Sequence, residues 1–367
     1  MSQRQGIHRS STTPTNCDVD KSTLIVVPTL NEEQLIGDCI ESLLHQDVDD
    51  DLKIVIVDGG SCDRTLEIVR SYASKYPHLD LVANPNKTQA HGLNKVARSL
   101  AATTDDAYMI RADAHCVYPS NFVRELLLAA RSTAAEAVVV SMTTVGGNLW
   151  QNAISHAFRS ILAHGGALHR AGTAVGWREV DHGHHALLDL RTFVGLDGYD
   201  TDLPVNEDFD YDHRLAGVGG RIVLAGGVEL QYAPRQTPVA LATQYFRYGK
   251  GRRATDAKHH RRPALRQAAP IGITLVNVLS ILLALVTMRP EFSVVVPAYF
   301  LVLLVASMQA RWDAPMSEKI LAPFVLAIMH NSFGLGYLWA LVRGQSRRRA
   351  RPAYFGVLND ADTVRRS

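Results

Sequence analysis

Short apolar runs alternate with amphipathic stretches over the first 145 residues. Residues 23–28 (TLIVVP), 52–57 (LKIVIV), 79–83, 107–112 and 137–145 are of strand length and largely apolar, the pattern of strands buried on both faces. Between them apolar positions recur at helical spacing. Leu35, Ile36, Ile40, Leu43 and Leu44 predict one helix; others are predicted from Asp63, with Ser61 or Asp63 as N-cap, over 88–102 and over 119–130. This alternation predicts an α/β fold, a parallel sheet with helices on both faces. Ligands of such sheets bind beyond the carboxyl ends of the strands, where Asn31, Asp58 and Asp113 fall.

From residue 146 the pattern loosens. Asp181, His182, Gly183, His184 and His185 read as a polar loop: a metal cluster, the wall of an acceptor site, or an ordinary loop. Glu207, Asp208, Asp210 and Asp212 place four carboxylates in six residues, where the helical pattern of Tyr211, Leu215 and Ala216 begins. Acid at a helix start is favoured by the helix dipole, and a carboxylate where loop meets scaffold is a common address for a general base. Asp210 and Asp212 are expected to be solvated, with Asp212 raising the pKa of Asp208 as a like charge. Two short strands are predicted at 221–224 and 228–232. Thr237 caps a helix with Pro238 in its first turn. That helix runs to about residue 248 and puts Gln244, Arg247 and Tyr248 on one face. Trp150 and Trp177 read as packing residues.

The last third is different. Residues 268–288, 292–310 and 320–342 are three uncharged or nearly uncharged apolar runs, each long enough to span a bilayer. Residues 247–266 hold eight Lys or Arg against one acid, Asp256, and residues 343–351 hold five Arg and no acid. The first basic stretch predicts a cytosolic side. Three full spans would put the Arg-rich tail outside, against the positive-inside rule. The expectation is therefore two or three spans, with 320–342, which carries His330, Asn331 and Ser332 at its middle, as the candidate to lie in the interface. The expected organisation is a leader at 1–22, a catalytic domain at 23–255, a membrane region at 256–345 and a tail at 346–367.

The 367 residues are 47% hydrophobic, enough for a substantial core, and the net charge of +2 leaves no global charge argument for nucleic acid. The basic stretch beside an apolar run suits anionic lipid headgroups instead. Four cysteines, at 17, 39, 62 and 116, show no metal or disulfide spacing, which suits a reducing compartment. The leader has no apolar h-region and is expected to be disordered, not a signal peptide.

Carboxylates at successive strand ends can do two jobs. Asp58 suits a hydrogen bond from a base or ribose hydroxyl. Asp113 suits a divalent cation, Mg2+ or Mn2+, with His115 as a second ligand if the segment is extended.

At this point the residues resemble a family. Pro28-Thr29-Leu30-Asn31-Glu32, Val57-Asp58-Gly59-Gly60-Ser61-Cys62-Asp63 and Asp113-Ala114-His115 look like the inverting family 2 glycosyltransferases, whose GT-A fold is a Rossmann-like, mixed but mainly parallel sheet. A second set is similar to the succinoglycan-type exopolysaccharide glucosyltransferases. It comprises Asn84-Pro85, Gln89-Ala90-His91-Gly92-Leu93-Asn94, Val180-Asp181-His182-Gly183-His184-His185-Ala186, Asn206-Glu207-Asp208, Gly219-Gly220-Arg221-Ile222, Tyr232-Ala233-Pro234-Arg235 and Gln244-Tyr245-Phe246-Arg247-Tyr248-Gly249. The resemblance covers roughly residues 22–255.

It implies a donor site of Pro28, Thr29, Asn31, Glu32, Asp58, Gln89, Asn94, Asp113 and Arg247, with Thr29, Asn31 and Asp58 on the uridine. It implies a metal on Asp113 and His115, where His115 replaces the second Asp of the family's Asp-x-Asp motif. It makes Asp208 the catalytic base, with Glu207 beside it. Gln244, Arg247 and Tyr248 match the family's Gln-x-x-Arg-Trp motif with Tyr for Trp, and His182, His184, His185, Gln244 and Tyr248 would face the acceptor. The implied activity is transfer of a hexose, glucose first, from a UDP-sugar to a lipid-linked saccharide at the bacterial inner membrane, with the catalytic domain cytoplasmic and other polysaccharide-assembly proteins as possible partners. Two alternatives stay open: a polyprenyl-phosphate hexosyl synthase, and a non-catalytic sugar-nucleotide-binding membrane protein.

Overall fold

The computed structural model describes residues 22–48, 52–104, 107–164, 176–203, 205–309 and 314–344. The expected tail, and all but the last residue of the expected leader, lie outside them. In chain order the elements are β1 (Ser22–Thr29), α1 (Ile36–Leu44), β2 (Lys53–Asp58), α2 (Thr65–Ala73), β3 (Leu79–Ala83), α3 (Gln89–Ala101), β4 (Ala107–Arg111), α4 (Phe122–Thr133) and β5 (Ala137–Thr144). Then come α5 (Leu149–Phe158), α6 (Ile161–His164), β6 (Trp177–Glu179), β7 (His184–Asp189), α7 (Leu190–Gly195), α8 (Glu207–Gly217), β8 (Ile222–Tyr232) and α9 (Pro238–Lys258). Three long helices follow: α10 (Leu265–Thr287), α11 (Val295–Gln309) and α12 (Met316–Val342).

The sheet runs β3-β2-β1-β4-β7-β5-β8-β6. The pairs β1–β2, β1–β4, β2–β3 and β5–β8 are parallel. β7 is inserted antiparallel between β4 and β5. Alternate side chains of each strand go to opposite faces. Ile25 and Val27 join Ile36, Ile40, Phe122 and Leu126 on one face; Leu24 and Val26 join Leu93, Phe193, Tyr211 and Leu215 on the other. The antiparallel insertion matters for function: the start of β7 lies at the carboxyl end of β4, so His184 and His185, expected on a loop, stand on a strand beside Asp113. The two strands expected at 221–224 and 228–232 are one, β8. Trp177, expected to pack, is 42% exposed.

The helix from Pro238 continues ten residues past its expected end, through Gly249 and Gly251 to Lys258, with Thr237 as its cap. The boundary expected at 255/256 therefore falls inside α9. Gly249 does not stop the helix because α12 crosses there. A β-carbon at Gly249 would strike the Phe333 carbonyl, and one at Gly336 the Phe246 carbonyl. Leu241 and Tyr245 of α9 meet Ile154 of α5 and Val325, Leu326 and Met329 of α12 in a third apolar cluster.

Three helical segments are long and apolar enough to cross a membrane, with 11% of the apolar window buried for 265–287 and 290–308 but 39% for 316–342. α12 thus differs from the other two by packing on α5 and α9. Gly336→Val is expected to cost about 1–3 kcal/mol by overpacking this crossing. The check is a lower unfolding midpoint in detergent, against Gly272→Ala, whose added carbon meets nothing within 4 Å.

Candidate active site

The ends of β1 and β2 form one wall. The Asp58 carboxylate accepts from Gly60 N–H (2.7 Å), Ser61 N–H (3.0 Å) and Ser61 Oγ (2.5 Å). It shapes the turn after β2, and a carboxylate's capacity of about four acceptor sites leaves room for one further donor. Asn31, at φ 56°, reaches across to the same turn: its N–H donates to Ser61 Oγ (2.9 Å), and its Oδ1 accepts from Cys62 N–H (2.8 Å). Thr29 is buried at the strand end with its hydroxyl on the Val27 carbonyl (3.2 Å), and Pro28 sits half-buried beside it. Neither Ser61 nor Asp63 is the N-cap of α2: that position is Arg64, with no side-chain cap bond, while Asp63 Oδ1 accepts from Thr65 N–H (3.0 Å).

Beyond β4, Asp113 is held from two sides. Arg111 Nη2 lies 3.5 Å from Oδ1, and His184 Nε2 lies 3.3 Å from Oδ2. Burial alone would raise its pKa; Arg111 and His184 outweigh burial and hold the carboxylate well below the usual range. His115 Nδ1 sits 3.2 Å from Glu32 Oε1. That contact, with Asp113, raises the imidazole pKa against burial and the charge of Arg235. Ligand atoms of Asp113, His115 and Cys116 fall within 4.8 Å of one another. A carboxylate kept ionised, and an imidazole oriented by a second carboxylate through one nitrogen with the other free, are the donor set a divalent cation uses. Cys116 fits less well, because burial and Asp113 push its thiol up to about 12. Glu32 is thereby a support for His115.

The acidic cluster opens α8. Asn206 takes the left-handed conformation (φ 65°), which Asn tolerates better than most residues, and its Nδ2 donates to the Tyr248 carbonyl of α9 at 3.4 Å. Asp208 is recessed; its Oδ1 accepts from Phe209 N–H at 2.7 Å. Burial would raise its pKa, but His182, His185 and Arg111 bring it below the usual range. Glu207 goes the other way, raised by burial and by the Asp208 charge. The two neighbours are driven apart, with Asp208 as the ionised member.

Asp210 and Asp212, expected to be solvated, are buried. Asp212 bridges two histidines, His182 Nδ1 (2.6 Å) and His185 Nε2 (2.6 Å). It is held by them, and instead of Asp212 raising Asp208 through like charge, its histidines lower Asp208. Asp210 meets Arg214 Nε (2.9 Å), Lys258 Nζ (2.6 Å) and His259 Nε2 (2.7 Å). Both are buried because α8 turns its acidic face onto β7 and the end of α9.

Two expected contacts are corrected. His185 cannot face an acceptor: it is fully buried, and its other nitrogen meets Tyr199 Oη at 2.6 Å. Asn94 cannot face a donor. It is 3% exposed, with Nδ2 donating to the Tyr199 carbonyl (2.7 Å) and Oδ1 accepting from Tyr199 N–H (2.9 Å). Both are braces for the 199 loop. His184 turns to Asp113 and His182 packs edge-on against Phe209. Gln244 Nε2 donates to Tyr248 Oη at 2.9 Å, which fixes that pair, while Arg247 on the same helix is exposed.

Arg111 is the residue the sequence reading missed. Its guanidinium is 9% exposed and interacts electrostatically with Asp113, Glu207 and Asp208 together. Gln89, with its amide oxygen turned toward Arg111, accepts from Nη1 at 3.1 Å and Nη2 at 2.7 Å. The available signal was a cation ending an apolar strand two residues before Asp113.

Residues 24–188 match Glycosyl transferase family 2. The chain is 40% identical over 252 residues to the succinoglycan biosynthesis protein ExoA of Rhizobium meliloti (strain 1021), spanning 69% of this chain and 75% of that protein. It is 20% identical over 332 residues to the dolichyl N-acetyl-alpha-D-glucosaminyl phosphate 3-beta-D-2,3-diacetamido-2,3-dideoxy-beta-D-glucuronosyltransferase of Methanococcus voltae, spanning 88% and 98% of the two chains. Among solved structures, the mannosyltransferase PcManGT from Pyrobaculum calidifontis in complex with GDP-Man and Mn2+ superposes with a TM-score of 0.52 at 19% identity, over 89% of this chain and 91% of its own. That likeness is one of fold.

Proposed function

Because this chain belongs to glycosyltransferase family 2, we propose that it moves a hexose, glucose first, from a UDP-sugar to a saccharide carried on a polyprenyl diphosphate, in bacterial exopolysaccharide assembly. The observation that carries this reading is Arg111. One buried guanidinium interacts with Asp113 on the strand-end side and with Asp208 on the helix side, so a phosphate-side carboxylate and a candidate base share one site. The similarity to a succinoglycan biosynthesis protein supports the exopolysaccharide setting. The three apolar helices and the basic stretch before α10 support a catalytic domain on the cytoplasmic face of the inner membrane.

Thr29, Asn31 and Asp58 receive the uridine, Asp58 with its remaining acceptor site. Asp113 and His115 are the residues that would hold Mg2+ or Mn2+. When bound, the cation supplies positive charge for the departing diphosphate. Arg247 is exposed on the turn of α9 before Tyr248 and adds a cation for the same oxygens. Asp208 takes the proton of the acceptor hydroxyl as that oxygen bonds to the anomeric carbon and the bond to the diphosphate oxygen breaks. A single displacement inverts the centre, so an α-linked donor gives a β-linked product and UDP leaves. His182 and Asp212 hold the Asp208 side of the site in place.

The test is transfer of radiolabelled sugar from UDP-glucose into a lipid-extractable product, using membranes that carry the full chain. Label that requires Mn2+ or Mg2+ and disappears with EDTA is the expected result. Label from a different UDP-sugar corrects the donor alone. No label from any UDP-sugar, with native lipid extract as acceptor, overturns the proposal.

A further inference from the structure

A cavity of about 530 Å3 lies between α8, the β6 and β8 edge, the end of α9 and the residues that lead into α10. Arg252, Arg261, Arg262 and Arg266 line it. Four carboxylates border it too, and most are already engaged. Glu179 pairs with Arg221 at 3.4 Å, Asp181 with Arg266 at 3.1 Å, and Asp212 with His182 and His185. Asp256 accepts from Tyr337 Oη at 3.3 Å, and burial raises its pKa against the pull of Arg252.

Arg252, Arg261 and Arg262 are left with no carboxylate ion pair among the described residues. Arg252 Cζ lies over the Phe209 ring, 3.5 Å from its centroid, and Arg261 Cζ lies 5.4 Å from the same centroid while its Nη1 touches His213 Nδ1 at 3.1 Å. Burial brings the Arg252 guanidinium down to about 10, with Arg266 and Arg261 adding to the fall against Asp256 and Asp208. Crowded cations on one wall are stabilised by a multivalent anion.

Position narrows the anion. The cavity ends where Leu265 begins α10, the most apolar of the three candidate spans. It also touches Phe209, the residue after Asp208. A ligand there would have its anionic group at the foot of a membrane helix and its next unit beside the proposed base.

We propose that this cavity binds the phosphate or diphosphate of a membrane-anchored acceptor, and so presents the acceptor's sugar to Asp208. The proposal rests on the lipid-linked reading above and adds the place where the lipid's phosphate is held. Arg261 and Arg262 clamp its outer oxygens, and Arg252 holds the inner ones from the Phe209 ring.

The test uses the full chain in phosphatidylcholine nanodiscs with saturating UDP, so that the donor site is filled. Farnesyl diphosphate is titrated by calorimetry, with inorganic diphosphate and discs containing phosphatidylglycerol as comparison arms. Farnesyl diphosphate should bind tenfold or more tighter than inorganic diphosphate and be undisturbed by phosphatidylglycerol. Arg261→Gln with Arg262→Gln should weaken it at least tenfold. Ala216→Phe keeps every charge, projects a ring from the exposed face of α8 into the cavity, and should weaken binding as much. Unchanged affinity in both variants overturns the site. Equal binding of inorganic diphosphate makes it a soluble-anion site, and competition by phosphatidylglycerol makes it a headgroup site; either overturns the acceptor assignment. Binding is read without turnover, so failure of the transfer assay and failure of this cavity are separate results.

Discussion

Asp208→Asn is expected to reduce sugar transfer by a factor of about 10²–10⁴, the usual contribution of a positioned general base, while UDP-sugar binding survives. The amide is nearly the same size and keeps an oxygen for the Phe209 N–H, so the variant should fold. What it loses is the basic oxygen. Glu207 is a poor substitute, because burial and the neighbouring charge raise its pKa. Asp208 is held ionised by His182, His185 and Arg111, so its basic form is present above its depressed pKa and throughout the physiological range. Any fall in kcat/KM between about pH 7 and pH 5 in the wild type must then come from groups that titrate there, histidines first. The decisive comparison is single-turnover transfer by wild type and variant with donor saturated. Full activity in Asp208→Asn with a saccharide acceptor would move the base elsewhere. Activity retained only with polyprenyl phosphate would indicate an acceptor that is already ionised, and the polyprenyl-phosphate hexosyl synthase reading.

Asp210→Ala is expected to cost about 3–5 kcal/mol, the range for removing one partner of a buried ion pair. Had Asp210 been a solvated helix charge, the change would stay within about 0.5 kcal/mol. Its carboxylate is fully buried and meets Arg214, Lys258 and His259. Lys258 keeps Asp200 at 2.7 Å, and Arg214 keeps the Gly198 carbonyl at 2.6 Å, so the lower end of the range is the safer expectation. Asp210→Asn should lie between.

The pH dependence has a definite sign. Burial alone would raise the Asp210 pKa, but His259, Arg214 and Lys258 hold it below the usual value. Its contribution is therefore fully present above the unfolded pKa of about 3.9 and lost as pH falls through the lower folded value. Unfolding midpoints of wild type and Asp210→Ala in detergent should differ most near neutrality and converge in strong acid. A constant difference down to low pH would mean that packing, not charge, is what Asp210 supplies. Because the cluster ties α8 to the end of α9, a loss of transfer in Asp210→Ala should follow its stability and not the identity of the acceptor.

By itself the sequence determined the βα order through β5, the start of α9 and the presence of three long apolar helical segments. Each of these is local. Period, cap and apolar run are properties of neighbouring residues, and Thr237-Pro238 or the run at 107–112 can be read without knowing what lies across the fold. Asp58 at the end of β2 and Asp113 just beyond β4 were legible for the same reason, since a strand's carboxyl end is a place in the chain as well as in space.

Only the tertiary structure decided which charges are partners. Asp212 pairs with residues 27 and 30 positions away, Asp210 with residues 48 and 49 away, and Asn94 with Tyr199, 105 away. No periodicity carries that information. A carboxylate at a helix start has one local pattern whether it meets water or a buried imidazole; burial by another element chooses. The same holds for α9, which runs on through Gly249 where α12 crosses it, and for Arg111, an ordinary strand-end cation until the fold sets it against both Asp113 and Asp208.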